Sequence, residues 1–353
     1  MSDSIALIVG KRRLEKFISY RVEADFYCAD NYFRLELGSL DTDIDGGMRC
    51  ELRVNDRPAL QGIIDRITDA DEKRGTGYYV EGRDLMGLLV DSYVESYPDR
   101  ENIALKELAE QLIATVPYIS RQDIQYQAGL AGAAASGTKD SASDAMAALG
   151  IGQKNCHVEP GSTIFEELKR AAMSRGAMFF GLPDGTFVFG RPKASGEAFF
   201  TIVHNRRGAG NNAFRSTRVR DVSRKYSKIV VVGQQQGDDL LQADEINIAA
   251  TVTDDTAPFY KPFVATLNDD SVSPQQYARM LLEMQRAAAL QLIYSVRGHS
   301  QQGRNWTINE LCRVRDEVRG IDGVYLIVSR AFELSKQNGV STEIRLSLPG
   351  VIQ

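Results

Sequence analysis

Residues 82–94 read Gly-Arg-Asp-Leu-Met-Gly-Leu-Leu-Val-Asp-Ser-Tyr-Val, a stretch that opens like a catalytic loop and closes like a buried helix. A catalytic Arg–Asp pair needs a third group and a pocket, and the surrounding sequence offers neither. The physical reading is a strand-to-helix corner that plugs a barrel. Gly82 ends a strand, Asp84 is placed to cap a helix, and Leu85, Leu88 and Leu89 form the apolar face of that short helix. Arg83 is expected to pair with Asp84, with Asp91 or with another chain. Leu88→Asp should cost folding or assembly, whereas Arg83→Ala should remove no catalytic activity.

Before this corner the chain reads as short strands. Met48, Cys50, Leu52 and Val54 alternate with Arg49, Glu51 and Arg53, the period-2 pattern of a strand buried on one face. Phe33, Leu35 and Leu37 alternate likewise. An apolar run from Ala59 to Thr68, the charged DADEKRGTG, and Tyr78-Tyr-Val80 read as a hairpin with a long solvated tip. Successive short antiparallel strands imply a small barrel or sandwich.

After the corner the grammar changes. Ile103, Leu105, Leu108, Leu112 and Ile113 share one helical face, and 128–137 is a small-residue loop or linker. Thr163 and Glu166 form a capping box for a helix over 164–175, ended by Gly176. Two short apolar strands flank the turn Pro183-Asp-Gly185. Ser227–Gly233 is a central-strand run, and Pro274–Gln291 is a long helix with Ala278, Leu281, Leu282 and Met284 toward a core. Val324, Leu326 and Val328, then Val340, Ile344, Leu346 and Leu348, flank the hairpin cue Asn338-Gly339. The segment from Leu60 through Gly75 to Tyr78-Tyr-Val-Glu81 matches in layout the one from Asp322 through Gly339 to Leu346. The two ends therefore look like two copies of one β plan.

The 353 residues are 43% hydrophobic and 25% charged, enough for two to four domains with cores. A net charge of −5 without a long basic block argues against a nucleic-acid clamp, and the doublets Arg206-Arg207 and Arg218-Val-Arg220 are surface or interface residues in this reading. Cys28, Cys50, Cys156 and Cys312 lie far apart, which fits buried thiols in a reducing compartment. No signal peptide and no membrane span is expected. His157, His204 and His299 lack a second ligand at metal spacing, so no metal is expected. No nucleophile elbow, zinc helix, P-loop or dinucleotide fingerprint is present, and no cofactor is expected. The acidic pairs 238–239, 254–255 and 269–270 are expected as solvated turns.

The order of these pieces resembles a known family. Tyr79-Val-Glu-Gly-Arg-Asp-Leu85 with Leu88-Leu89, Gly161-Ser-Thr-Ile-Phe-Glu-Glu-Leu168 with Gly176 and Pro183-Asp-Gly185, and Trp306-Thr-Ile-Asn309 through Val314, Asp316, Ile321 and Gly323-Val-Tyr-Leu326 carry the likeness. They resemble the baseplate hub proteins of contractile-tailed phages, in particular the tail proteins of Mu-like phages and prophages. The late-control D proteins and the hub part of type VI secretion spikes are more distant members. The resemblance makes Gly82, Arg83, Asp84, Leu85, Leu88, Leu89, Trp306, Asn309, Asp316 and Gly323 a structural signature rather than a catalytic set.

What the resemblance implies is an α+β, multi-domain chain with two similar small antiparallel β-barrels that form a ring in a trimer, plus an α+β middle region. The expected division is a first barrel over 1–96, a middle region over 97–221 with a flexible loop at 128–138, and a discontinuous second barrel from 222–235 and 290–353. Residues 236–289, with a helix at 274–290, form an inserted segment. The implied function is a structural, non-enzymatic hub that joins the tail tube to the spike and leaves a channel for DNA. Its partners would be its own copies, the spike protein, and tube and baseplate proteins. DNA would pass an acidic or neutral wall without specific binding, and the barrels' outer surfaces would carry exposed apolar contact positions. Localisation would be the virion tail, assembled in the bacterial host cytoplasm, with no membrane anchor. The alternatives are a tail-associated cell-wall-degrading enzyme and a secretion-spike fragment, the latter disfavoured because no β-helix follows Val351.

Overall fold

The computed structural model of the chain describes every residue except 1–2, 41–42, 73–74, 96–99, 127–153, 157, 159, 174–175, 235–246, 268–273 and 352–353. Seven strands come first: β1 (Ile5–Val9), β2 (Arg12–Leu14), β3 (Ser19–Asp25), β4 (Tyr32–Leu37), β5 (Arg49–Val54), β6 (Arg57–Glu72) and β7 (Gly75–Asp84). Helix α1 (Met86–Asp91) follows. The middle holds β8 (Arg100–Ile103), α2 (Leu105–Ile113), β9 (Ile124–Tyr126), β10 (Lys154–Cys156), α3 (Ile164–Met173), β11 (Met178–Gly181) and β12 (Phe187–Gly190). Next are β13 (Phe200–His204), β14 (Ala213–Arg220), β15 (Lys228–Gln234), β16 (Asn247–Thr253), β17 (Pro262–Leu267) and α4 (Pro274–Ala288). The last are β18 (Leu290–Arg297), β19 (Ser300–Gln301), β20 (Arg304–Asn305), β21 (Leu311–Asp316), β22 (Ile321–Ser335) and β23 (Gly339–Ser347).

Thirteen of these strands share one sheet, ordered β14-β18-β23-β22-β3-β4-β7-β6-β5-β1-β2, with β21 beside β22 and β13 beside β21. The order contains a repeat. The series β3-β4-β7-β6-β5 in the first half is matched by β14-β18-β23-β22-β21 in the second, with every step antiparallel. The long strand of each half slips register against its hairpin partner at one point, between Ile64 and Arg66 in β6 and between Ile327 and Ser329 in β22. The copies part at the sixth strand: β1 runs antiparallel to β5, whereas β13 runs parallel to β21. Strand β22 also pairs with β3, joining residues 329–334 to 20–25 across some three hundred positions of chain.

Burial explains this arrangement. The inward positions of both halves, among them Leu7, Val22, Phe33, Leu35, Leu52, Phe200, Tyr294, Ile327, Phe332 and Ile344, form one continuous core. Each largely removed aliphatic side chain contributes roughly 1.5–3 kcal/mol, so the halves stabilise each other through a shared interior. A second core joins α1, α2 and α3 to the aromatic strands β11 and β12. A third, smaller one packs β15–β17 against α4.

Several details differ from the sequence-based expectations. The span 222–235 does not join residues 290–353: β15 is the centre of a separate three-stranded sheet with β16 and β17, and β13 and β14 complete the C-terminal half instead. A Val-rich strand fits either sheet by periodicity, and only the α4 apolar face decided between them. No ladder among the described residues closes either half into a barrel. Where β13 and β14 could pair, Asn212 stands in, its Oδ1 accepting from the Val203 N–H at 2.8 Å and its Nδ2 donating to the Thr201 carbonyl at 2.7 Å.

The β6–β7 hairpin has no long tip, since its ladder runs on to Glu72 opposite Gly75. Ile103 belongs to β8 rather than to a helix. The capping box is as expected, with Thr163 N–H donating to Glu166 and Glu166 N–H to Thr163 Oγ1. The 128–138 loop, His157 and the acidic pairs 238–239 and 269–270 lie outside the described residues.

Candidate functional site

At the corner that opened the sequence reading, Arg83 leaves the end of β7 and is surrounded by carboxylates. Its Nε donates to Asp65 at 2.8 Å, and its terminal nitrogens donate to Asp91 at 2.6 Å and Asp30 at 3.1 Å. Asp84 is not one of its partners. Bonds to Asp91 and Asp65 hold the guanidinium firmly charged, and Asp91 is held below the usual carboxylate range in return. Asp84 does not cap from the expected position: the helix cap is Leu85, and Asp84 instead accepts from the Met86 N–H at 3.1 Å and from Asn31 Nδ2 at 2.6 Å. Burial pushes its carboxyl up to about 7, partly offset by those hydrogen bonds. Leu85, Met86 and Leu89 are buried and Leu88 half-buried, all facing the α2/α3 core rather than the first half's own interior. The corner thus clamps the middle region onto the sheet.

In the C-terminal half, Asp316 is buried at the end of β21 and gathers Tyr294 Oη at 3.0 Å, His204 Nδ1 at 3.2 Å and the Arg319 N–H at 3.0 Å. Burial alone would raise this carboxyl, but those donors hold it below its ordinary value. Ser216 lies alongside, so a Ser, a His and an Asp meet here. Their geometry is not that of a nucleophilic triad. Ser216 Oγ sits 3.3 Å from the same Nδ1 that faces Asp316, whereas a relay needs the hydroxyl on Nε2 and the carboxylate on Nδ1. Arg319 donates to that hydroxyl as well. The cluster ties β13, β14, β18 and β21 together.

The other signature residues make packing and backbone contacts. Trp306 stacks on Phe200 with ring centroids 4.5 Å apart. Asn309 holds φ 57°, accepts from the Lys193 N–H at 2.9 Å and donates its own N–H to Ile327. Gly323 lies in the β21–β22 ladder opposite Val314. The ten residues form no single site, because Gly82–Leu89 and Trp306–Gly323 belong to opposite halves.

Sequence reading missed the node where the halves meet. Arg330, in β22, is 1% exposed; its terminal nitrogens donate to the Val22 carbonyl of β3 at 2.9 Å and the Ala59 carbonyl of β6 at 2.6 Å. Its guanidinium lies 4.0 Å over the Phe332 ring, and burial pulls its pKa down to about 9. Next to it His299, fully buried, meets Tyr20 Oη at 2.7 Å and Thr342 Oγ1 at 3.1 Å. Since the Thr342 hydroxyl donates to the Gly298 carbonyl, Nδ1 is the donor and Nε2 accepts from Tyr20. The available signal was a charged residue two positions before Phe332 on an inward face.

Burial, reinforced by Arg330 and opposed by Asp3, lowers the His299 pKa from 6.5 to about 4. Between those values the unfolded chain binds the proton and the folded one does not, so stability is fully present above pH 6.5 and falls as pH drops toward 4. From ~1.4 kcal/mol per unit, the loss is of order 3 kcal/mol. Urea midpoints at pH 7 and pH 4 should separate more for the native chain than for His299→Gln, and equal separations would refute this assignment.

A largely antiparallel sheet built from two repeated halves is thus clamped to an α+β region, and its buried polar clusters join strands to one another. The comparisons with known proteins place this architecture among tail proteins by fold. Residues 285–351 match the family described as tail protein, C-terminal domain. Along nearly its whole length the chain resembles the baseplate hub protein gp44 of Escherichia phage Mu, 24% identical over 364 residues that cover 98% of this chain and 88% of that protein. The tail protein from Neisseria meningitidis MC58 has the same fold, with TM-score 0.82 and 24% identity over 98% of this chain and 97% of that one. So has the 43 kDa tail protein of prophage MuSo2 from Shewanella oneidensis, with TM-score 0.75 and 21% identity over 98% of both chains. Over nearly its whole length the chain is thus similar in sequence to a phage Mu baseplate hub protein and in fold to these two tail proteins.

Proposed function

We propose that the protein is a structural component of a contractile-tail baseplate: a central hub that joins the tail tube to the spike. The observation that carries this reading is the end-to-end similarity to a baseplate hub protein in a chain whose sheet is internally duplicated. Three copies would place six similar β units around an axis, so that one face matches a sixfold tube and the other a threefold spike. Residues 1–96 supply the first unit, and the second is drawn from β13, β14 and residues 290–353. The middle region and the β15–β17 unit stand outside the ring.

The role is mechanical rather than catalytic, and the buried polar clusters serve as joints. The outward side of β3, β4, β7, β22 and β23 is laced with ion pairs, Arg21 with Glu23 and Glu333, Arg345 with Asp25, and Arg34 with Glu81 of β7. Such a charge-balanced surface suits a channel wall that DNA passes without specific binding. No helix of the described residues is long and apolar enough to cross a membrane.

Light scattering on the full chain tests the reading. A mass three times 39.1 kDa is expected. A monomer that stays monomeric when mixed with its spike and tube partners would overturn it.

A further inference from the structure

Strand β22 uses one edge twice: its first part pairs with β21, and beyond the slip at Ile327/Ser329 residues 329–334 pair with β3. Its counterpart β6 pairs with β5 through Ile63, but beyond its own slip at Ile64/Arg66 that edge carries no strand among the described residues. The counterpart of β3 is β14, which pairs with β18 alone. Each half therefore offers what the other half's seam uses: a long strand's open edge, and an unpaired terminal strand.

We propose that a second copy of this chain docks here, with β6 of one copy adding antiparallel to β14 of the next, in the register of the β22–β3 seam. This rests on the ring reading above and names its joint. The register follows from the ladders. The slips equate Arg66 with Ser329. Gly82 faces Phe33 and Phe33 faces Val22, just as Leu346 faces Leu292 and Leu292 faces Arg218, so Val22 corresponds to Arg218 and Asp25 to Asp221. Ser329 pairs with Asp25 and Phe332 with Val22 inside the chain. Between copies, Arg66 therefore faces Asp221, Ile67 faces Arg220, Thr68 faces Val219 and Asp69 faces Arg218.

The charges support this register. In a chain of net charge −5, β14 and its flanks concentrate Arg206, Arg207, Arg215, Arg218, Arg220 and Arg224, while the open part of β6 carries Asp69 and Asp71 beside a single Arg66 that pairs with Glu81. Both directly opposed charged pairs, Arg66–Asp221 and Asp69–Arg218, are of opposite sign, as Glu333 and Arg21 are in the internal seam. Val219, 40% exposed in the single chain, would be covered by the added strand.

Cysteine pairs in a Cys28→Ser background test the register. Directly opposed residues bring Cβ atoms within disulfide reach. The internal equivalent, Glu23→Cys with Ala331→Cys, should close within one chain and shows that the pair geometry permits a bond. Thr68→Cys with Val219→Cys should give an oxidation ladder ending at a covalent ring, and the shifted pair Thr68→Cys with Thr217→Cys should not. Asp69→Arg and Arg218→Asp should each weaken self-association by about tenfold or more, and the double reversal should restore it. A native trimer with no Thr68–Val219 cross-link and no rescue by the reversal would overturn this seam and leave the ring reading standing. A chain that never self-associates would overturn both.

Discussion

Arg330→Ala is expected to lower the stability of the folded chain by about 4 kcal/mol, with a matching fall in the urea midpoint. The side chain is buried, and truncating it strands the Ala59 carbonyl at the β5–β6 register slip, removes a bond to the Val22 carbonyl and leaves a cavity against Phe332. A buried acceptor without a partner costs about 1–3 kcal/mol, and a large-to-small core change adds to that. Arg330→Met keeps the aliphatic body on the ring but not the two hydrogen bonds, so its loss should be smaller, near 2 kcal/mol. Because the two carbonyls belong to β3 and β6 and the arginine to β22, the Ala variant should loosen the joint between halves. Amide exchange should rise first in β3 and in the second part of β22. A change below about 1 kcal/mol in Arg330→Ala would mean that water already serves these carbonyls.

The glycines of the first hairpin should be nearly as intolerant. A Cβ on Gly62 would lie 1.9 Å from the Arg83 carbonyl oxygen, and one on Gly82 would lie 2.1 Å from the Ile63 carbonyl oxygen and 2.7 Å from the Phe33 ring. Backbone atoms cannot rotate aside, so β6 and β7 would have to separate at the register slip. Gly62→Ala and Gly82→Ala are each expected to cost about 3 kcal/mol or to prevent folding. Gly77→Ala, where the nearest atom is 3.8 Å away in the flexible Tyr79 ring, is the control and should be within about 0.5 kcal/mol of the native chain. Chemical denaturation of the three variants reads the contrast directly, and equal behaviour would refute the close-approach argument.

The same positions show why the corner was legible only in outline. Arg83-Asp84 reads as architecture from sequence because no third catalytic group stands near, and the structure gives Arg83 three carboxylate partners. Which carboxylates these are was not readable. Asp30 and Asp65 are distant in sequence and arrive through β4 and β6, whose ladders with β7 are set by register rather than by local pattern. Met86 was overlooked as a core residue for the opposite reason: a six-residue helix is too short for periodicity to show which side is buried.

By itself the sequence determined the local grammar. Alternation fixed the half-buried strands β4 and β5, the Thr163/Glu166 pair fixed the start of α3, Pro183-Asp-Gly185 fixed the β11–β12 turn, and the matched layouts of the two ends marked the duplication. These are short-range effects, written in residue type and spacing. Only the tertiary structure decided which strands share a sheet: it placed β15 with α4, brought β13 and β14 to the C-terminal half, and married β3 to β22. The reason is that a strand's polar edges accept any partner, whereas its side chains must fill one particular shared core. The buried Arg330, an anomaly in the sequence, is the residue through which that core binds the two halves.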